Sequence, residues 1–178
     1  MKKISIFCTL GPSSLNKRFL KYTDKKVSLL RLNMSHIQSN NLEKKIKFIR
    51  KFTKTPICID TEGAQIRTKI KKGKFYKKNS IIKIDKSKGR INFYPNEVFD
   101  KLRKDDVLDI GFDDLRVKII SKNITSLKLK VITSGLFENN KGVCILNRKI
   151  KLKFLTEKDI EAIKIGKRLN IKNFALSF

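Results

Sequence analysis

Hydrophobic periodicity changes twice along this chain, and that change limits the folds open to it. Residues 4–10 form a short apolar run closed by Gly11-Pro12, which reads as a buried strand followed by a loop. Residues 14–22 fit a short helix, and residues 27–33 are a second apolar run. Asn40, with Glu43 three residues on, marks a helix start, and Leu42, Ile46, Ile49 and Phe52 follow at helical spacing. Residues 56–60 read as a third buried strand, so the chain opens as a parallel α/β unit. From residue 69 to about residue 150 the texture differs. Ile82 and Ile84, then Leu127, Leu129 and Val131, alternate with polar residues, and turn signals fall at Lys88-Gly89 and Ser134-Gly135. This stretch reads as an antiparallel β module inserted in the α/β chain. The α/β pattern then resumes. Thr156 and Asp159 make a capping-box start, Leu155 and Ile160 are placed as a hydrophobic staple, and Ile163 continues the face. Residues 173–178 read as a fourth strand.

Composition narrows the class. The 178 residues carry a formal net charge of +27 and are 40% hydrophobic, enough for one or two packed cores. No window approaches the apolar length of a membrane span. Met1-Lys2-Lys3-Ile4-Ser5 leads straight into a strand-like run without a signal-peptide pattern. Cys8, Cys58 and Cys144 are odd in number and far apart, which reads as reduced thiols in a cytoplasmic protein. With one histidine there is no Cys/His zinc set and little room for catalysis by a histidine pair. The basic residues are 34 lysines and only nine arginines, spread evenly, while acids cluster between Glu97 and Asp114. That pattern favours a solvated, lysine-rich surface attractive to anionic ligands over a nucleic-acid-reading face.

Candidate chemistry sits at strand ends. The second strand ends in Arg31-Leu32-Asn33-Met34-Ser35-His36 and the third in Asp60-Thr61-Glu62-Gly63-Ala64-Gln65-Ile66-Arg67-Thr68. The carboxyl ends of parallel strands are where α/β barrels keep their sites. The two segments offer arginines for phosphate and hard oxygens for a cation: Asn33, Ser35, Asp60 and the Thr61 carbonyl. The plainer reading of either segment alone makes Asp60 a helix cap and Arg31 a surface ion pair; two such segments at adjacent strand ends favour a site.

These residues resemble a known family. Cys8-Thr9-Leu10-Gly11-Pro12-Ser13-Ser14 resembles the opening motif of pyruvate kinases, and residues 31–36 and 60–68 are similar to two further motifs of that family. Asn140-Lys141-Gly142-Val143 resembles the end of its β-rich lid, Leu155-Thr156-Glu157-Lys158-Asp159 its re-entry into the barrel, and Ala175-Leu176-Ser177-Phe178 a later strand. The order is collinear over the whole chain. The resemblance implies a partial TIM (β/α)8 barrel, strands one to four, interrupted after the third by an antiparallel lid. Residues 1–68 and 151–178 would form the barrel part, and residues 69–150 the lid. It implies phosphoryl transfer from phosphoenolpyruvate to ADP, giving pyruvate and ATP in glycolysis, with Mg2+ (or Mn2+) and K+. Arg31 would contact the transferred phosphoryl group. Asn33, Ser35, Asp60 and Thr61 would ligate K+. Arg67 and Lys141 would hold nucleotide phosphates, and His36 falls beside them, as a strand-end cap or packing group or as a ligand contact.

Departures from the pattern qualify that implication. Glu62 stands where the family usually has Lys, Gln65 where it has Glu or, in potassium-independent members, Lys, and Ala64 where it has Pro. K+ dependence is therefore open, with Glu62 a candidate to restore nearby negative charge. The lid also departs at Cys144-Ile145-Leu146-Asn147 and at Asp109-Ile110-Gly111-Phe112-Asp113-Asp114. The family's catalytic lysine and its divalent-metal Glu and Asp lie beyond the motif on which this chain stops. The expectation is an incomplete chain without turnover of its own, which pairs with itself or with a complementary C-terminal chain. The alternatives are half of a split enzyme, or a non-catalytic nucleotide-binding or regulatory derivative.

Overall fold

Apolar side chains on alternate positions decide how the first sheet is built. In a computed structural model describing residues 4–86, 89–112 and 114–177, the chain forms two units, Met1–Ala64 with Lys153–Phe178, and Gln65–Leu152. Met1, Lys2 and Lys3, Lys88 of the expected turn, Asp113 of the acidic segment and the final Phe178 lie outside the described residues.

In the first unit β1 (Phe7–Thr9), β2 (Leu29–Asn33), β3 (Ile57–Asp60) and β13 (Asn173–Ala175) form a parallel sheet in the order β1-β2-β3-β13. Leu30 and Leu32 of β2 and Ile57 and Ile59 of β3 pack with Leu20 of α1 (Lys17–Thr23), Leu42, Ile46 and Ile49 of α2 (Ser39–Arg50), and Ala162 of α4 (Glu157–Arg168). Side chains alternate across a strand, so Arg31, Asn33, Cys58 and Asp60 belong to the opposite face. This sequential order of strands and helices is that of the first four units of a TIM barrel.

Local chemistry sets the helix ends. Asn16 caps α1 by accepting the Phe19 amide at 2.9 Å. Thr156 and Asp159 form the capping box of α4: the Asp159 amide donates to Thr156 Oγ1 at 3.1 Å, and the Thr156 amide to Asp159 Oδ2 at 3.0 Å. Gly166 of α4 lets the helix approach the sheet, since a Cβ there would lie 2.7 Å from Ile59 Cδ1.

Four expectations are corrected. The first strand is three residues long and not buried: Phe7 is 68% exposed, because β1 pairs with β2 alone. The buried Ile37 fixes where the chain enters α2, so that helix starts at Ser39 and Asn40 falls inside its first turn. Ile160 is 44% exposed and no buried staple forms; the inner face of α4 runs through Ala162, Ile165, Gly166 and Leu169 instead of Ile163. Gly135 does not turn the chain but opens a strand, where a Cβ would sit 2.3 Å from the Asp114 carbonyl oxygen. Only glycine allows that approach.

The second unit is all antiparallel apart from one short helix. β4 (Ile66–Ile70), β6 (Ile81–Asp85), β7 (Ile91–Tyr94), β8 (Val107–Ile110), β9 (Leu115–Lys122), β10 (Ser126–Thr133) and β12 (Gly142–Ile145) form one sheet in the order β6-β10-β9-β8-β12-β4-β7. Its end strands β6 and β7 adjoin, so the sheet is nearly closed. β5 (Lys74–Tyr76) and β11 (Gly135–Phe137) make a separate ribbon, and α3 (Val98–Lys101), which no periodicity announced, precedes β8. The period-two residues Ile82, Ile84, Leu127, Leu129 and Val131 are all buried, with Leu127 opposite Ile84 and Leu129 opposite Ile82. Lys122 closes the end of α3 by donating to the carbonyls of Phe99, Asp100 and Leu102 at 2.8, 3.0 and 2.6 Å. Desolvation pushes its ammonium below the usual lysine range.

Leu129→Ala is expected to remove about 2–5 kcal/mol from the lid's unfolding transition in urea, the range for truncating a buried leucine. The neighbouring, outward-facing Lys130→Ala should stay within about 0.5 kcal/mol of the parent. A pH dependence follows from Asp24, whose carboxylate accepts Thr53 Oγ1 at 2.7 Å and the Lys54 amide at 3.1 Å. Those bonds hold its carboxyl below the ordinary 3.8. A depressed folded value stabilises above 3.8, and that contribution is lost as pH falls through the lower folded value. The stability gap between the parent and Asp24→Asn should therefore close as pH is lowered below that point, measured by thermal melts across an acid series.

Candidate functional site

Parallel pairing of β2 with β3 sets Arg31 opposite Cys58 and Asn33 opposite Asp60, at the carboxyl ends of both strands. Asp60 is 2% exposed, and both its oxygens are engaged. Oδ2 accepts Arg31 Nε at 2.8 Å and Nη2 at 2.5 Å, and Oδ1 accepts Ser177 Oγ at 2.7 Å. Arg31 Nη1 also donates to Thr9 Oγ1 at 3.1 Å, so three strands and the segment after β13 meet at one carboxylate. A guanidinium has five N–H donors, of which these bonds use three. With its side chain 39% exposed, Arg31 retains an accessible, permanently charged edge.

Ser35 follows Arg31 by four residues in the chain, and Thr61 directly follows Asp60. Thr61 is buried, its amide donating to the Ala175 carbonyl and its Oγ1 accepting the Ser177 amide, each at 3.0 Å. Asn33 Oδ1 accepts the Ser35 amide at 2.9 Å and so caps a single 3-10 turn, Met34–His36. A carbonyl oxygen has two lone pairs, which leaves Asn33 capacity for a second partner. His36 ends that turn, exposed. Cys58, under the pair on the same face, has its thiol pushed up by burial and by the Asp60 charge. Asp60 caps no helix, and the surface ion pair considered for Arg31 is instead its bond to Asp60.

Arg67 and Lys141 are brought together within the second unit. Arg67 on β4 pairs with Gly142 on β12, next to Lys141. Thr68 ties the turn down: its Oγ1 accepts the Lys141 amide at 2.9 Å, and its own amide donates to the Lys141 carbonyl at 3.0 Å. Arg67 Nη1 donates to the Asn140 carbonyl at 3.0 Å. Lys141 Nζ stands 3.2 Å from Glu138 and 3.9 Å from Asp114. A Cβ at Gly142 would lie 2.7 Å from Phe112 Cζ and 3.1 Å from Gln65 Nε2, so a larger residue there would displace those side chains. The buried Gln65 Oε1 has no hydrogen-bond partner.

Two residues escaped the sequence reading. Ser177 bonds both Asp60 and Thr61; the fourth strand, expected over 173–178, ends at Ala175, which leaves Ser177 in the segment beyond it. Lys158, inside the re-entry motif, donates to Glu62 Oε2 at 2.9 Å and to the Met34 carbonyl at 2.5 Å. Glu62 is therefore neutralised by Lys158 and restores no free negative charge.

Donor chemistry separates the two metals. Asn33, Ser35 and Thr61 carry neutral hard oxygens and Asp60 a buried carboxylate, a donor chemistry that suits a monovalent cation such as K+. Among the described residues no three His, Cys, Asp or Glu side chains come together. No helix among them is long and apolar enough to cross a membrane.

Comparison with known proteins identifies the family. The family model for the pyruvate kinase barrel domain matches residues 1–178. Pyruvate kinase from Staphylococcus epidermidis is 31% identical over a 200-residue alignment that covers 100% of this chain and 33% of the relative. That of Staphylococcus aureus strain USA300 is 30% identical with the same coverage. The crystal structure of Cryptosporidium parvum pyruvate kinase superposes with a TM-score of 0.88 at 24% identity, covering 98% of this chain and 39% of that one. The chain thus spans about a third of the length of the curated relatives it matches. Matched from end to end by its barrel domain, this chain belongs to the pyruvate kinase family.

Proposed function

We propose that this chain carries the phosphate- and potassium-binding part of a pyruvate kinase site, serving phosphoryl transfer from phosphoenolpyruvate to ADP in cytoplasmic glycolysis. The observation that carries the reading is Arg31, fastened by the buried Asp60 at the carboxyl end of β2 with one edge of its guanidinium accessible. A rigid, permanent cation at that place suits the developing charge on a phosphoryl group in transfer, where catalysis is mostly positioning and electrostatic stabilisation. Potassium, held by Asn33, Ser35, Asp60 and Thr61, would add fixed positive charge beside it. Arg67 and Lys141 would bind the phosphates of ADP, displacing the Asn140 carbonyl and the Glu138 carboxylate that occupy them now. Mg2+ or Mn2+ would take its ligands from residues other than these. The three free cysteines accord with a reducing compartment.

A second reading, an associating half-barrel, is favoured by the sheet's edges. β1 and β13 each pair on one side only, and Phe7 and Leu176 are 68% and 74% exposed. Uncharged, unpaired edges attract further strands. A polypeptide of these 178 residues is expected to self-associate at tens of micromolar in sedimentation runs or to capture a complementary chain; a monomer with strong amide protection in both edge strands would contradict this.

Binding tests separate the two phosphate sites. In calorimetry at raised salt, which screens the +27 charge, the chain should bind ADP weakly, and Arg67→Ala should weaken it about tenfold. Equal titrations of parent and variant would overturn the nucleotide assignment. Arg31→Ala should abolish binding of inorganic phosphate while leaving ADP binding unaltered. Pyruvate formation from phosphoenolpyruvate and ADP by this polypeptide should stay at background, and turnover that vanishes in Arg31→Ala would sink that expectation.

A further inference from the structure

Lys158 and Glu62 form the most deeply placed ion pair that the proposed binding chemistry does not use. Their side chains are 19% and 4% exposed, and the contact is 2.9 Å. Desolvating two charges is costly, and a pair of this kind often contributes no more stability than apolar side chains of the same volume. Its connections offer a different reason for its presence. Lys158 Nζ also donates to the Met34 carbonyl at 2.5 Å. That carbonyl, which accepts the Ile37 amide at 3.3 Å, belongs to the 3-10 turn that holds Ser35 and is capped by Asn33. Glu62 directly follows Thr61; its Oε1 faces Thr156 Oγ1 at 3.1 Å, and its amide donates to Asp159 Oδ1 at 2.8 Å. The Gly63 amide adds a bond to Asp159 Oδ2 at 3.1 Å. The first turn of α4 is thereby fastened to the chain just beyond Asp60-Thr61 and, through Lys158 alone among these bonds, to the turn beyond β2.

We propose that Lys158, held by Glu62, is a positioning residue: a strut that fixes the Asn33–Ser35 oxygens against those of Asp60 and Thr61 and so sets the cation affinity of the site without touching the ion. This rests on the potassium-binding reading given above. Strand pairing fixes Asn33 against Asp60 only up to the end of the ladder. Beyond it the two segments leave the sheet separately, and the ammonium bonded to both is what couples them. Loss of a residue that orients metal ligands typically costs about 10–100-fold in affinity.

The test uses the full 178-residue chain and Tl+ as the potassium probe, followed by 205Tl and 1H–15N NMR. Lys158→Met and Glu62→Gln should each weaken Tl+ binding about tenfold or more. Both should also speed amide exchange at Ser35 and Ile37 relative to the α2 amides, and shift the Arg31 Nε–H resonance. Lys158→Arg should recover much of the parent behaviour, and Lys164→Met, an exposed lysine of the same helix, should change nothing. Unchanged exchange at Ser35 and Ile37 with an unmoved Arg31 resonance, accompanied only by a lower melting temperature, would show a merely structural pair and overturn the proposal. If the parent takes up no Tl+, the cation reading fails, while the strut stands or falls on the exchange and Arg31 signals. Should Lys158→Met not fold, the near-isosteric Glu62→Gln decides between strut and structural pair by the same two signals.

Discussion

Burying the Asp60 carboxylate at the end of β3 obliges the chain to surround it with donors. An ionised carboxylate out of water is tolerated only when paired and hydrogen-bonded. Here the donors come from Arg31 and Ser177, on strand β2 and just past strand β13, and Arg31 in turn reaches Thr9 on β1. The four parallel strands are thus tied at their carboxyl ends by one acid, in addition to their ladder bonds. The same obligation creates the functional feature: a guanidinium whose inner edge is spent on structure and whose outer edge stays accessible. Replacing Asp60 by an apolar residue would leave that cation half-buried and unaimed.

Around this acid the first unit is tied by ladder bonds and then by side-chain bonds to the segments that leave the strands. Ladder pairing sets Asn33 against Asp60. Side chain to backbone bonds then extend order past the ladder: Ser177 to Thr61, Asn33 to Ser35, Asp159 to Glu62 and Gly63. The Thr156–Asp159 capping box therefore does more than start a helix, because the Asp159 oxygens that close the cap also receive two amides from the chain leaving β3. A single local motif links the third strand to the fourth helix of the polypeptide.

The lid uses a different economy. Its core is a layer of alternating isoleucines, leucines and valines, and its tight places are solved by glycine at Gly135, where backbone comes too near for any Cβ, and at Gly142, where a Cβ would displace an aromatic ring. Lysines there are structural as well as solvating: Lys122 fills a nest of three carbonyls at the end of α3. Arg67 and Lys141 meet because β4 and β12 pair in register, with Thr68 bonding the intervening turn. Their present partners are a carbonyl and carboxylates, which phosphate oxygens could replace with like chemistry.

Much of this was legible in the residues themselves. Period-two alternation at Ile82, Ile84, Leu127, Leu129 and Val131 specifies a half-buried sheet wherever it occurs, and Thr156-x-x-Asp159 is a helix start in any context, because both depend on local geometry. Motifs such as residues 31–36 carried the fold class because they are contiguous in sequence. Other features were decided by tertiary structure alone. Whether residues 4–10 are buried depends on what lies against β1, and Phe7 there is 68% exposed. Whether Gly135 turns or extends depends on how near Asp114 comes, and α3 is four residues long, too short to show a period. Glu62, in sequence a candidate to restore negative charge near the site, has Lys158, 96 positions away, as its partner. Periodicity is a property of neighbours in sequence; an ion pair between buried groups is a property of neighbours in space, which only the folded chain brings together.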